Sequence, residues 1–214
     1  MHLQCHFGLD TLSWARLGAQ VTGLDFSAPA MEAASDLTRR AGLEAEWVVS
    51  DVMDAPRALG GRRFDVVYTG LRALNWLPDI DRWAGVVGEL LEPGGRLHLV
   101  EFHPITDIFG DDGLDVENDY FHEGVREWPV EEGTYAELDA PTQHNEVEEW
   151  AHPLGQIVTA IADRGLRIER LAEHDCTLFP RWPMLQREAG GVYQLPEGTP
   201  SLPLMFSLVA RAPA

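Results

Sequence analysis

Gly18-Ala19-Gln20-Val21-Thr22-Gly23-Leu24-Asp25-Phe26-Ser27 is the stretch on which the reading of this chain turns. It opens on a glycine of the kind that ends a helix and runs into a short apolar strand over residues 20–24. The strand stops at an acid, Asp25. Ser27 then offers an N-cap with Pro29 in the first turn, so a helix over 30–41 follows, closed by Gly42. Upstream, residues 1–5 form a short apolar run that reaches Gly8. A helical pattern comes next, with Leu9, Leu12 and Leu17 on one face.

The alternation continues downstream. Residues 44–49 read as a third strand, followed by Asp51, and residues 64–68 as a fourth, ended by Thr69-Gly70. Asp79 caps a helix carrying Trp83, Val86, Val87, Leu90 and Leu91. Pro93-Gly94-Gly95 turns into a fifth strand over 97–102. Strands alternating with helices predict an α/β fold with a doubly wound, mostly parallel sheet. Ligands of such sheets lie beyond the C-terminal ends of the strands. That rule selects residues 5–8, Asp25, Asp51, residues 69–71 and residues 101–103. Further on, a helix over 153–163, a strand over 167–174, a long loop over 179–200 and a last strand over 202–210 are expected.

The 214 residues favour one domain over 1–214, and the 45% hydrophobic content is that of a globular chain. All 16 basic residues are Arg, against 35 acids, for a net charge of −19. The imbalance is local: residues 101–150 hold 16 acids and a single Arg, Arg126. Nucleic acid is disfavoured as a partner, because that affinity comes mostly from basic groups neutralising phosphates. An anionic membrane surface is disfavoured too. Tyr120, Phe121, Trp128, Tyr135 and Trp150 are interleaved with the acids, so residues 103–150 read as an ordered, inserted acidic cap after strand five. Cys5 and Cys176 give neither a disulfide framework nor a metal-type spacing. No apolar run approaches the roughly 18 residues of a membrane span. The first residues lack the basic and apolar regions of a signal peptide, so a soluble cytoplasmic protein is expected. The oligomeric state is open.

A Gly-bearing first turn with an acid after strand two suits an adenosine-containing ligand, and 17 residues separate Gly8 from Asp25. The dinucleotide fingerprint is missing: the turn reads Gln4-Cys5-His6-Phe7-Gly8-Leu9. His6 and Phe7 crowd the place where a pyrophosphate packs on a helix N-terminus. A ligand without phosphates tolerates that bulk better.

On these residues the chain resembles the class I S-adenosylmethionine-dependent methyltransferases. Met1-His2-Leu3-Gln4-Cys5-His6-Phe7-Gly8 takes the place of the family's first motif, with Gln4 and His6 where the first two glycines stand and Gly8 as the third. Residues 18–27 look like the second motif, Ser50-Asp51-Val52 like the third, and Phe64-Asp65-Val66-Val67-Tyr68 like the fourth strand. Leu90-Leu91-Glu92-Pro93-Gly94-Gly95-Arg96-Leu97 resembles the turn into the fifth. The resemblance covers residues 1–102. The Leu3–Leu12 run, with Glu101-Phe102-His103-Pro104, looks like an uncharacterised bacterial branch.

The resemblance implies a seven-stranded Rossmann-like sheet with an antiparallel last strand. It implies S-adenosylmethionine as cofactor, held by Cys5, His6, Phe7, Gly8, Asp25, Phe26, Asp51, Val52 and Thr69. Asp25 would take the ribose and Asp51 the adenine amino group. It also implies a leading helix over the cofactor, whereas here strand one begins at Met1.

Each assignment has a plainer competitor. Asp25 also suits a loop cap, Asp51 an N-cap, and Gly8 an ordinary turn. Cys5 suits a packed core residue. Glu101 and His103, after strand five, are the candidate catalytic groups; His103 at that place suits a general base, and both equally suit side chains satisfied by loop backbone. His152 and Trp76 are weaker candidates. The expected activity is methyl transfer to a small-molecule acceptor by in-line displacement. The alternatives are a non-catalytic binding or regulatory protein on the same fold, and a nicotinamide-dependent reductase.

Overall fold

The computed structural model describes residues 1–127 and 147–214. Trp128 and Tyr135 of the acidic segment lie outside the described residues.

The parallel strands are β1 (His2–Leu3), β2 (Thr22–Asp25), β3 (Glu46–Val49), β4 (Phe64–Gly70) and β5 (Leu91–Phe102). Two further short strands, β6 (Val125–Glu127) and β7 (Glu148–Trp150), pair antiparallel in the acidic segment. The sheet is completed by β8 (Arg167–His174) and by β12 (Met205–Arg211), which lies antiparallel between β5 and β8. The strand order β3-β2-β1-β4-β5-β12-β8 is the mostly parallel, seven-stranded, Rossmann-like arrangement, with its last strand antiparallel as expected. The order reverses between β1 and β4, which is where such sheets open a crevice.

The helices form where their caps say. For α2 (Ala28–Ala41), Ser27 Oγ accepts from Ala30 N at 3.3 Å, and Gly42 ends the helix at φ 64°. For α4 (Ile80–Leu90), Asp79 accepts from Arg82 N at 2.8 Å. Its stripe of Ile80, Trp83, Val87 and Leu90 is buried against the sheet. α5 (Leu154–Asp163) buries Ile157, Ala160 and Ile161 beside it.

Three expectations change. α1 (Leu9–Arg16) does not bury an apolar face: Leu12 packs inward, but Leu9 is 55% and Leu17 78% exposed. The helix is two turns long, so Leu17 falls at its cap, where the chain turns away. Pro93-Gly94-Gly95 does not precede β5 but interrupts it, as a register shift between Phe64 opposite Leu91 and Val66 opposite Arg96. Residues 179–200 are not a bare loop. They carry β10 (Gln186–Arg187) and β11 (Tyr193–Gln194), which pair with β9 (Cys176–Thr177). Trp182 and Leu185 form a second small core with Phe109 and Leu204. There Trp182 Nε1 donates to Gly110 O at 2.9 Å, and Arg181 pairs with Asp107 at 2.7 Å. Tyr120 anchors the acidic segment to the main body by accepting from Leu154 N at 3.0 Å.

Candidate active site

The turn after β1 is unusual in its backbone. Gln4, His6 and Gly8 are all left-handed, at φ 55°, 49° and 77°. These are the three positions of the glycines in the resembled motif. A residue with a side chain pays about 1–2 kcal/mol for that conformation, so the turn must be held from outside. Asp25 holds it: Oδ2 accepts from His6 N at 2.9 Å and Oδ1 from Ser27 N at 3.0 Å. Each oxygen keeps a further lone pair. Asp25 thus plays the loop-capping part and lies at the crevice as well. Phe26, next to it, is 78% exposed. Asp51 caps the short turn Val52–Asp54 by accepting from Met53 N at 2.7 Å, with Val52 buried beneath.

Two predicted groups serve packing. The space left by the missing side chain of Gly8 is filled by Trp47: a Cβ there would lie 2.2 Å from the indole, and one on Gly23 2.4 Å from it. The indole Nε1 donates to Thr38 Oγ1 at 3.0 Å, so the ring locks β3 to α2. Cys5 is buried in the same cluster with Met31 and Ala34. Burial and the nearby Asp25 push its thiol up to about 12, which makes it inert. His6 is exposed and tilted against Phe7, ring centroids 4.2 Å apart.

The opposite wall is the end of β4. Thr69 is fully buried. The Tyr68 hydroxyl overlies Gly70, where a Cβ would meet it at 2.5 Å; burial, Asp10 and Glu101 push it up to about 12. Glu101 receives the backbone N–H groups of Arg72, Ala73 at 2.7 Å and Leu74 at 3.1 Å. Burial raises its carboxyl, and those N–H groups oppose the rise. Its chief work is to fold the loop after β4. His103 is engaged at both nitrogens. Nδ1 accepts from Ile105 N at 3.1 Å, so Nε2 carries the hydrogen and donates to Glu173 at 3.0 Å. Burial lowers its pKa against the pull of Glu173 and Asp107.

A cavity of about 40 Å³ lies beyond the ends of β4 and β5, with Arg72, Asn75, Glu101, Trp150 and His152 among its walls. Glu101 reaches it; His103 is not part of its lining. Several wall residues carry no motif. Arg72 forms an ion pair with Glu149, and Asn75 Nδ2 donates to the same carboxylate at 2.8 Å. His152 Nε2 donates to Leu77 O at 2.7 Å. Position after a strand end was the available signal for Arg72 and Asn75. Trp76 is 47% exposed and does not line the cavity.

An adenosine-bearing sulfonium with an amino-acid tail fits this crevice on one test. Among the described residues, the buried oxygens without a hydrogen-bond partner are Gln4 Oε1, Thr69 Oγ1 and Asn75 Oδ1. All three belong to the crevice ends of β1 and β4 or the loop beyond. The two amide oxygens accept and the hydroxyl both accepts and donates, a set suited to a polar ligand that donates.

Residues 1–97 match the family model of a methyltransferase domain. The ubiquinone biosynthesis O-methyltransferase of Xanthomonas axonopodis pv. citri (strain 306) is 35% identical over 95 residues, covering 44% of this chain and 39% of that protein. The match thus spans about two fifths of the relative's own length. An S-adenosylmethionine-dependent methyltransferase structure from Clostridium acetobutylicum ATCC 824 aligns with all of this chain and 83% of that one, at 15% identity and TM-score 0.66. The cyclase SpnF aligns with all of this chain and 73% of its own, at 16% identity and TM-score 0.60. The methyltransferase fold is therefore shared by the whole chain. Among the described residues, no helix is long and apolar enough to cross a membrane.

Proposed function

We propose that this chain is an S-adenosylmethionine-dependent methyltransferase acting on a small molecule. The observation that carries the reading is the turn after β1, which keeps left-handed backbone at Gln4, His6 and Gly8 and is pinned by Asp25 at the strand-order reversal. The methyltransferase match over residues 1–97 supports it.

When bound, S-adenosylmethionine supplies an electrophilic methyl group on a sulfonium. The chain's own residues do the rest. Asp25 offers its remaining lone pairs to the ribose hydroxyls. Asp51 receives the adenine amino group, with Phe26 and Val52 beside the ring. His6 and Phe7 would line the floor, with Cys5 and Gly8 packed behind them, and Thr69 the far wall. The cavity beyond β4 and β5 takes the acceptor atom. Its size admits a small group such as a hydroxyl or an amine. Alignment and exclusion of water carry most of the catalysis of such a displacement. Glu101 acts as a positioning residue by folding the loop that bears Arg72 and Asn75. His103 fixes the chain where it leaves β5.

Calorimetry with S-adenosylhomocysteine tests this. Asp25→Ala is expected to weaken binding at least about tenfold, the worth of hydrogen bonds to a charged group. Tight NADH binding with none of S-adenosylhomocysteine would replace the reading with a reductase.

A further inference from the structure

We propose that the side of the sheet turned away from α4 and α5 is a docking surface for an acidic amphipathic helix of a partner protein. The surface lies outside the crevice and does not depend on the methyl-transfer reading.

The two sides of the sheet are covered unequally. The helices packed on β4, β5 and β8 are α4 and α5, and both lie on one side. There Val67, Leu97, Leu99, Phe206 and Leu208 are all buried. The alternate residues of the same strands point the other way. On that side α2 packs on β2 and β3, and α1 reaches β4 with Trp14, whose ring lies 6.0 Å from that of Tyr68. Past Tyr68 the side chains stay open: Val66 is 38% exposed, and Val100, Val209 and Ala172 are half-buried. Parallel strands occur with both faces covered, and an antiparallel face left to water carries polar residues. Here β4 and β5 are parallel, and the row Gly70, Val100, Ser207, Ala172 across the four strands holds no charge. An apolar strip of this kind calls for a cover.

Charge decides what the cover is. The neighbouring rows set Arg96 beside Arg211 and Arg167, and His98 beside Val209 and Arg170. One carboxylate serves three of these arginines: Glu169 takes Arg96 at 2.9 Å, Arg167 at 3.0 Å and Arg211 at 3.7 Å. Arg170 is exposed and has no ion pair among the described residues. In a chain of net charge −19, the open strip is thus bordered by a basic edge. Its complement is a helix with an apolar stripe and carboxylates along one flank. The four strands span about 15 Å, room for one helix of about 10 Å. A second copy of the chain fits poorly, because a twofold contact lays a patch on itself and would oppose arginine to arginine. Phosphate-bearing partners suit the arginines but leave the valines uncovered, and the chain's overall charge repels them.

Calorimetry with two synthetic helical peptides tests the surface. Both carry Leu and Ala along one side; one has Glu on the flank and the other Lys. The Glu peptide is expected to bind, and the Lys peptide to bind at least about tenfold more weakly. Arg170→Glu, at an exposed and unpaired position, is expected to weaken the Glu peptide about tenfold. Arg40→Glu, equally exposed but on α2, is expected to leave it unchanged. No binding of the Glu peptide, equal binding of the two peptides, or equal effects of the two substitutions overturns the proposal. Single-stranded DNA or phosphatidylserine vesicles that bind more tightly than the Glu peptide, and lose affinity in Arg170→Glu, also overturn it, since the arginines then read phosphate. So does a dimer, seen by light scattering, that Arg170→Glu dissociates, since a second copy is then the cover.

Discussion

His103 closes one end of β5 with a neutral ring, and its neutrality is what the local fold depends on. Protonating Nδ1 would set a hydrogen against Ile105 N, which already donates there. Burial puts the folded pKa below the usual imidazole value of about 6.5, so the unfolded chain takes up the proton first as pH falls. Its contribution is whole above that value and is lost as pH falls below it. His2 and His98 are shifted the same way by burial. Urea unfolding between pH 7.5 and 5 is expected to show declining stability. In His103→Asn, which can still cap Ile105, the decline is expected to be shallower. Equal slopes for the two proteins would remove His103 from the account. Glu101 teaches a related lesson. Its place after a strand made it a catalytic candidate in the sequence, but a carboxylate's partners are invisible there. Its three N–H donors come from residues 72–74, nearly thirty positions away.

At the scale of elements, caps and breakers were legible because they act within a few residues. Ser27, Gly42 and Asp79 bound their helices as read. What was not legible is how elements share space. Gly8 was read as room for a ligand, and Trp47 fills that room from a strand 39 residues later. The indole meets the turn at Gly8, α2 and β2 together. Gly8→Ala is therefore expected to cost about 2–3 kcal/mol, from overlap with the ring and from φ 77°. In a Trp47→Leu background only the backbone cost of about 1 kcal/mol is expected to remain. Denaturant unfolding of the four proteins of that cycle measures the difference. Additive effects would show that the ring is not the cause. The two-residue strands of 179–200 escaped the sequence for another reason. They are too short for an alternating pattern and are framed by Pro and Gly.

For the whole molecule, the strand-helix alternation was sufficient for the doubly wound, mostly parallel sheet, whereas its antiparallel last strand was expected only from the family resemblance. The charge block reads as a segment apart from the core, and its described residues are tied to the main body. Arg72 and Asn75 meet Glu149, and Tyr120 meets Leu154 N. Those pairs lie 34 to 77 residues apart, beyond the reach of any local pattern. Arg72→Met withdraws the guanidinium from the Glu149 carboxylate, which is only 9% exposed. Hydrogen exchange is expected to accelerate at residues 125–127 and 148–150, with β1–β5 unchanged. Faster exchange throughout the sheet would mean that Arg72 supports the core and not the mooring.

β12 has a consequence for how the chain is made. It is inserted between β5 and β8, so β8 has no sheet partner, and β5 none beyond β4, until residues 205–211 have left the ribosome. At about 5–20 residues per second, the 102 residues between the end of β5 and the start of β12 take roughly 5–20 s. Through that interval β5, with Leu97 and Leu99, is a long apolar edge open to a second nascent chain. Chains stopped before residue 205 carry that edge permanently, and aggregation is their natural fate.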